Sequence, residues 1–113
     1  MVKILTVCSA GLIRSVSMTD VLKVRCVDVD VIPVGIDANS KATLNMMYEW
    51  ADHIILMMEE WRPRVPSAYR HKVKVCDVGP DVYGNSRHPE LIKQDWDWVK
   101  AHASELGITQ HNL

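Results

Sequence analysis

The stretch Lys3-Ile4-Leu5-Thr6-Val7-Cys8-Ser9-Ala10-Gly11-Leu12-Ile13-Arg14-Ser15 carries most of the fold assignment. Its first five residues form a short apolar run rich in β-branched side chains, which reads as a strand. A helical pattern follows over residues 14–24, with Val16, Val21 and Leu22 as its apolar members. Further along, the same alternation repeats. Val27-Asp28-Val29-Asp30-Val31 has period two and predicts a strand with one wet face, at a sheet edge. Asn39 or Ser40 can cap a helix carrying Leu44, Met47 and Trp50, with Met46 and Ala51 widening its apolar stripe. Residues 53–58 form a continuous apolar run suited to a strand buried on both faces. Pro63 and Pro66 keep any helix near Trp61 short or displaced. Residues 72–78 read as a fourth strand, and Gly79-Pro80-Asp81 is loop chemistry. Pro89 fits the first turn of a last helix with Leu91, Ile92, Trp96, Val99, Ala103 and Leu106 on its inner face, and Gly107 is placed to end it. Strands alternating with helices predict an α/β fold with a parallel sheet and right-handed crossovers. Ligands in such sheets sit beyond the carboxyl ends of the strands, where residues 8–15 and 79–83 lie.

Length and composition agree with one domain over residues 1–113. Two cores in 113 residues would each be too small to be stable. Hydrophobic residues make up 48% and charged residues 24%, as in ordinary globular chains, which argues against disorder. A formal charge of −1 gives no basic excess to recruit nucleic acid or anionic lipid. No apolar run approaches the length of a membrane span, and Met1-Val2-Lys3-Ile4-Leu5 lacks a signal-peptide layout. Three cysteines without a C-x-x-C pair argue against a disulfide scaffold and for a cytoplasmic protein with reduced thiols. The five histidines have no metal-ligand spacing, so neither metal nor cofactor is expected. A chain this short and balanced in charge is expected to be a monomer.

The chemistry concentrates in residues 8–15, with the form Cys, five residues, Arg, Ser. A loop running from a strand into a helix N-terminus turns successive backbone N–H groups inward, making a cradle for a tetrahedral oxyanion. Ser9, Ala10, Gly11, Leu12 and Ile13 would line it. Cys8 at its base meets a positive potential that favours the nucleophilic thiolate. Arg14 can hold two phosphoryl oxygens with its planar fork. Ser15 can donate a hydrogen bond to the Cys8 sulfur and help it leave. Gly11 supplies the left-handed backbone that a tight anion nest needs. The bland alternative is that Cys8 is a packed small hydrophobe and Arg14 a solvated helix residue. Its position between first strand and first helix favours the phosphate cradle.

These residues resemble the low-molecular-weight protein tyrosine phosphatases, most closely a compact subgroup of small predicted tyrosine phosphatases. In that subgroup a Cys-Ser-Gly-Asn-x-x-Arg-Ser loop follows the first strand, as residues 8–15 do here. Its Glu-Trp-Ala-Asp segment and Ile-rich strand ending in Met-Glu match residues 49–59, and its Asp-Ile-Pro-Asp-Asp-Tyr loop matches residues 77–83. Its Pro-Glu-Leu helix start is similar to Pro89-Glu90-Leu91. The fold expected is a three-layer sandwich, a four-stranded parallel sheet in the order 2-1-3-4 with helices on both faces. The resemblance implies hydrolysis in two steps, through a phosphocysteine on Cys8. It puts the general acid on Asp81, two residues before Tyr83. The expected substrate is a phosphorylated protein, with phosphotyrosine foremost, or a small aryl phosphate, and phosphate or another oxyanion should occupy the loop. Asp77, at a strand end, is expected to order the acid loop instead, and His88 is a weaker competitor for the acid. Tyr83 and Trp61 are candidate walls for an aryl ring.

The chain departs from the family pattern at several points. Ala10 and Gly11 stand where Gly and Asn are usual, so the bracing side chain of the asparagine is missing. Ile13 replaces the second loop cysteine of larger relatives, Gly79 lengthens the acid loop, and His88 replaces an aspartate. Cys26 and Cys76 read as packing residues. The leading alternative is a cysteine phosphocarrier resembling the B-type domain of the sugar phosphotransferase system, which shares the Cys-x-Ala-Gly-Leu start. Arg14 and Asp81 favour hydrolysis over that reading. An arsenate reductase would need a downstream cysteine pair, and a catalytically silent phosphopeptide-binding module is a further alternative.

Overall fold

The structure, a computed structural model, describes residues 1–111. Its strands and helices run β1 (Val2–Cys8), α1 (Arg14–Arg25), β2 (Cys26–Val27), β3 (Val29–Gly35), α2 (Lys41–Trp50), β4 (His53–Leu56), β5 (Val73–Val75), α3 (Pro89–Leu106) and β6 (Thr109–Gln110). Two 3₁₀ turns, Glu59–Arg64 and Ser67–Lys72, connect β4 to β5. The main sheet is parallel with the order β3-β1-β4-β5, so its four strands lie 2-1-3-4 in chain order, as expected. The chain moves outward from β1 to β3, then crosses back past β1 to β4. Right-handed crossovers therefore set α1 and α2 on opposite faces, and the strand order reverses beside β1.

The central strands are apolar because both faces are covered. Ile4, Leu5 and Val7 of β1 and Ile54, Ile55 and Leu56 of β4 are fully buried. On the far side of the sheet from α2, α1 packs against α3. The exception in β1 is Thr6, buried without exposure, whose hydroxyl donates to the Ser15 carbonyl at 2.9 Å and meets the Thr19 hydroxyl at 2.8 Å. That pair of contacts fixes the first turns of α1 to the middle of the sheet.

Some local expectations hold and others are corrected. The alternating segment at residues 27–31 is not one strand: Asp28 turns to φ 56°, and the edge strand runs instead over Val29–Gly35. Pro33 sits within it, which an edge strand tolerates because one side carries no ladder. Cys26–Val27 pairs antiparallel with Thr109–Gln110, a small sheet that the sequence did not signal. Near Trp61 the prolines leave only 3₁₀ turns, and the fourth strand shrinks to Val73–Val75. Met46 is 73% exposed and Ile92 38% exposed, so neither belongs to the apolar stripe assigned to it. Ser40 rather than Asn39 caps α2, accepting from the Thr43 N–H at 3.2 Å, while Asn39 donates to the Gly35 carbonyl. Gly107 closes α3 in the left-handed conformation, φ 69°. None of the described helices is long and apolar enough to cross a membrane.

Candidate active site

Residues 9–13 link the carboxyl end of β1 to α1 and lie directly against the end of β3. The Ile36 N–H donates to the Cys8 carbonyl at 2.8 Å and the Asp37 N–H to the Ser9 carbonyl at 2.9 Å. Two glycines make this approach possible. Gly11 has φ 76°, and a Cβ there would lie 2.6 Å from the Gly35 nitrogen. A Cβ on Gly35 would lie 2.4 Å from the Ala10 carbonyl carbon, closer than real Cβ atoms come. Gly11 was readable from the sequence, but Gly35 was not, since nothing local marks where two distant loops touch.

Cys8 is buried at the base of this loop. Its sulfur accepts from the Gly11 N–H at 3.2 Å and lies 3.1 Å from the Ser15 hydroxyl. The helix that starts here is unusual among its neighbours. Ile13 occupies the N-cap of α1 with no side-chain hydrogen bond, and the first turn holds no acidic residue. By contrast, Ser40 caps α2 and His88 caps α3, its Nδ1 accepting from the Glu90 N–H at 3.2 Å. The first N–H groups of α1 thus have no capping side chain, as an anion receptor requires.

Arg14 is 3% exposed and held on several sides. One terminal nitrogen, Nη1, donates to the Gly79 carbonyl at 2.9 Å and contacts the Met58 sulfur at 3.0 Å. The other, Nη2, donates to the Ser9 hydroxyl at 3.0 Å. Its guanidinium also stacks over Trp61, 5.1 Å from the ring centroid. The buried Nε has no partner among the described residues. A buried guanidinium N–H left unpaired is costly, and an oxyanion in the loop is the acceptor its chemistry calls for. Trp61 is itself buried, so its ring supports Arg14 rather than standing open as a wall.

The second loop follows β5. The Asp77 carboxylate accepts from the Glu59 N–H at 3.1 Å and from the Gly79 N–H at 2.9 Å, the ordering role expected of it. Gly79, the extra residue, has φ 77° and presents its carbonyl to Arg14. Asp81 is exposed and makes no hydrogen bond or ion pair with the described residues. The Tyr83 hydroxyl donates to the Val78 carbonyl and accepts from the Gln94 amide at 3.0 Å, and the ring meets His88 edge-on. Leu12 on the first loop and Val82 on the second are large apolar side chains, 71% and 74% exposed.

Beneath α1 lies a carboxyl that the sequence reading passed over. Asp95 of α3 is fully buried, accepting from the Ser17 hydroxyl at 2.7 Å, with the Cys76 sulfur at 3.9 Å. Burial pushes its pKa up to about 7, against the opposing hydrogen bond from Ser17. Burial likewise pushes the Cys76 thiol up, reinforced by the charge of Asp95. Among the described residues no cluster of His, Cys, Asp and Glu could hold a metal ion.

No protein-family model matches the chain, and no curated protein matches it either. Solved structures do. Vibrio vulnificus Wzb in complex with benzylphosphonate superposes with a TM-score of 0.64 at 16% identity, covering 92% of this chain and 98% of that one. The YwlE arginine phosphatase of Geobacillus stearothermophilus gives a TM-score of 0.65 at 18% identity, covering 93% and 95%. A low-molecular-weight protein tyrosine phosphatase from Bacillus subtilis gives 0.65 at 17% identity, covering 91% and 98%. The chain has the fold of these phosphatases over nearly its whole length.

Proposed function

We propose that the chain is a cysteine-dependent phosphatase that hydrolyses phosphate monoesters, with phosphotyrosine in proteins as its substrate. The observation that carries this reading is a set of groups gathered on one loop and on the helix start that follows it. A buried cysteine sulfur faces an N–H and a hydroxyl, the adjoining helix start is uncapped, and a buried arginine Nε lacks an acceptor. In the first step the Cys8 thiolate attacks phosphorus while the bond from phosphorus to the leaving oxygen breaks, and Asp81 gives that oxygen its proton. Arg14 and the N–H groups of residues 9–14 hold the three equatorial oxygens as charge shifts among them. In the second step water attacks phosphorus, the Asp81 carboxylate takes its proton, and the sulfur–phosphorus bond breaks. The Ser15 hydroxyl steadies the departing thiolate, and inorganic phosphate leaves.

Leu12 and Val82 present apolar surface on the two loops, which suits an aryl leaving group better than a charged one. Tyr83, with its hydroxyl bound inside the loop, would offer only its ring. One of the similar structures is an arginine phosphatase, so phosphoarginine is the substrate to test in parallel. All three cysteines are free, which fits a reducing compartment, and we take the chain to act there as a single-domain monomer.

The test is hydrolysis of an aryl phosphate and of a phosphoarginine peptide without added metal, beside Cys8→Ser and Asp81→Asn. Turnover should vanish in Cys8→Ser and fall about 10²–10⁴-fold in Asp81→Asn for the aryl ester. A stable phosphocysteine without turnover would point to the carrier instead. Faster turnover of phosphoarginine would move the substrate assignment but keep the mechanism.

A further inference from the structure

Asp95 reaches α1 from the last helix, and no step proposed above uses it. Its carboxyl is fully buried. One oxygen accepts from the Ser17 hydroxyl at 2.7 Å, and the Cys76 sulfur lies 3.9 Å from the other. Ser17 is itself buried, and its N–H donates to the Ile13 carbonyl at 2.9 Å, closing the first turn of α1. That turn carries Arg14 and Ser15 and begins at the uncapped N–H groups. Thr6 holds the same turn from the sheet through the Ser15 carbonyl, so Asp95 is its second fastening, made from α3. A hydroxyl and a distant thiol do not neutralise a buried carboxylate, and Asp95 forms no ion pair among the described residues. The charged groups of the elements around it are engaged elsewhere. On α1, Arg14 donates to Gly79 and Ser9, Arg25 stacks on Trp96, and Asp20 and Lys23 are exposed. After β5, Asp77 accepts from the Glu59 and Gly79 N–H groups, and on α3 Lys93 and Lys100 pair with Asp97.

We propose that Asp95 is a positioning residue of the phosphate loop, fastening the first turn of α1 through Ser17 as a neutral acid and opposing a bound oxyanion once ionised. The inference rests on the reading of residues 8–15 as an oxyanion site. Two anions would share one helix end. The positive potential at the start of α1 favours a carboxylate beside the first turn or an oxyanion in the loop, and each charge makes the other less favourable. Burial pushes the Asp95 carboxyl up to about 7, so it releases its proton to solvent as pH rises through the neutral range. Oxyanion affinity should therefore be highest below that range and fall through it. The coupling is reciprocal, so a bound oxyanion keeps the proton on Asp95 to higher pH. A carboxyl kept for packing alone would show neither effect.

The experiment is a sulfate titration of the full chain at constant ionic strength, followed through the amides of residues 9–15 from about pH 5.5 to about pH 8.5. Sulfate stays a dianion over this range, and a Cys8→Ser background removes the thiol as a second titrating group. The dissociation constant should rise about fivefold across the range while Asp95 is present. It should stay flat in Asp95→Asn, which keeps an acceptor for the Ser17 hydroxyl. Saturating sulfate should also move the titration of the Asp95 carboxyl, read from its carbon resonance, to higher pH. Ser17→Ala removes the bond that favours the carboxylate, so it should weaken sulfate at every pH and shift the fall in affinity upward. Ser17→Thr, which keeps the hydroxyl, should restore both. Equal pH dependence with and without Asp95, or a carboxyl titration indifferent to sulfate, would overturn the inference and leave the oxyanion site standing. Silence of residues 9–15 towards sulfate at every pH would overturn both, by removing the site on which the inference rests.

Discussion

The loop at residues 9–13 is fastened to β3, to Thr6 through the Ser15 carbonyl, and to α1, whereas the loop at residues 79–87 depends on fewer ties. Its side-chain anchors are Asp77, Tyr83 and the Gly79 carbonyl that Arg14 holds. The difference fits what the proposed function asks of each. Donors that stabilise a transition state act best when fixed beforehand, because they then need no reorganisation. In the proposed mechanism Asp81 is a proton donor that must approach a leaving group that varies and then release it, and its exposed position suits that task. Arg14 joins the two, reaching Ser9 in one and Gly79 in the other.

The comparison breaks most sharply at Gly35. Gly35→Ala sets a Cβ within 2.4 Å of the Ala10 carbonyl carbon, and backbone on both sides has to shift. We expect a loss of about 1–3 kcal/mol in stability and near-complete loss of phosphate binding, measured by thermal melting and phosphate titration. If binding survives, the first loop is less rigid than its packing implies. Tyr83→Phe probes the second loop more gently. It removes the hydrogen bonds to the Val78 carbonyl and from Gln94, so kcat should fall several-fold while the affinity for inorganic phosphate stays constant. Equal falls in both would mean that the loops are mechanically one unit.

Asp95, under the helix that carries the first loop, gives the smallest effect and one visible only against pH. Its folded pKa of about 7 exceeds the ordinary value of 3.8, so the folded chain keeps a proton that the unfolded chain releases. Stability from this group is therefore fully present below about 4, declines as pH rises towards 7, and levels off beyond. Asp95→Asn should flatten that slope, raising the melting temperature at pH 8 relative to wild type more than at pH 4. A parallel pair of melting curves would show that Asp95 is ionised throughout.

Much of this was legible because it is local. The β1–loop–α1 unit is contiguous, and its Cys, Gly, Arg and Ser fall at fixed offsets that one strand end and one helix start must bring together. Residues 53–56 declared their burial by lacking any polar alternation. The illegible parts depend on contacts between distant segments. The edge strand was set over residues 27–31 because the period-two alternation lies there, whereas it runs over Val29–Gly35, with Pro33 tolerated at an edge and Gly35 close against Ala10. Nothing in the sequence around Asp95 marks it, and packing against Ser17 and Cys76 is what buries it. Asp81 was assigned through resemblance, and its exposed position leaves that role to the Asp81→Asn measurement.

The missing cap at Ile13 has a consequence for the fold as well as for binding. A helix start without a capping side chain forgoes about 1 kcal/mol that Ser, Thr, Asp or Asn would contribute there. An oxyanion accepting those same N–H groups would restore it, so that a bound ligand would complete the secondary structure. Occupancy then becomes readable as heat resistance: above the dissociation constant, each tenfold rise in free phosphate should add about 1.4 kcal/mol to the stability of the chain.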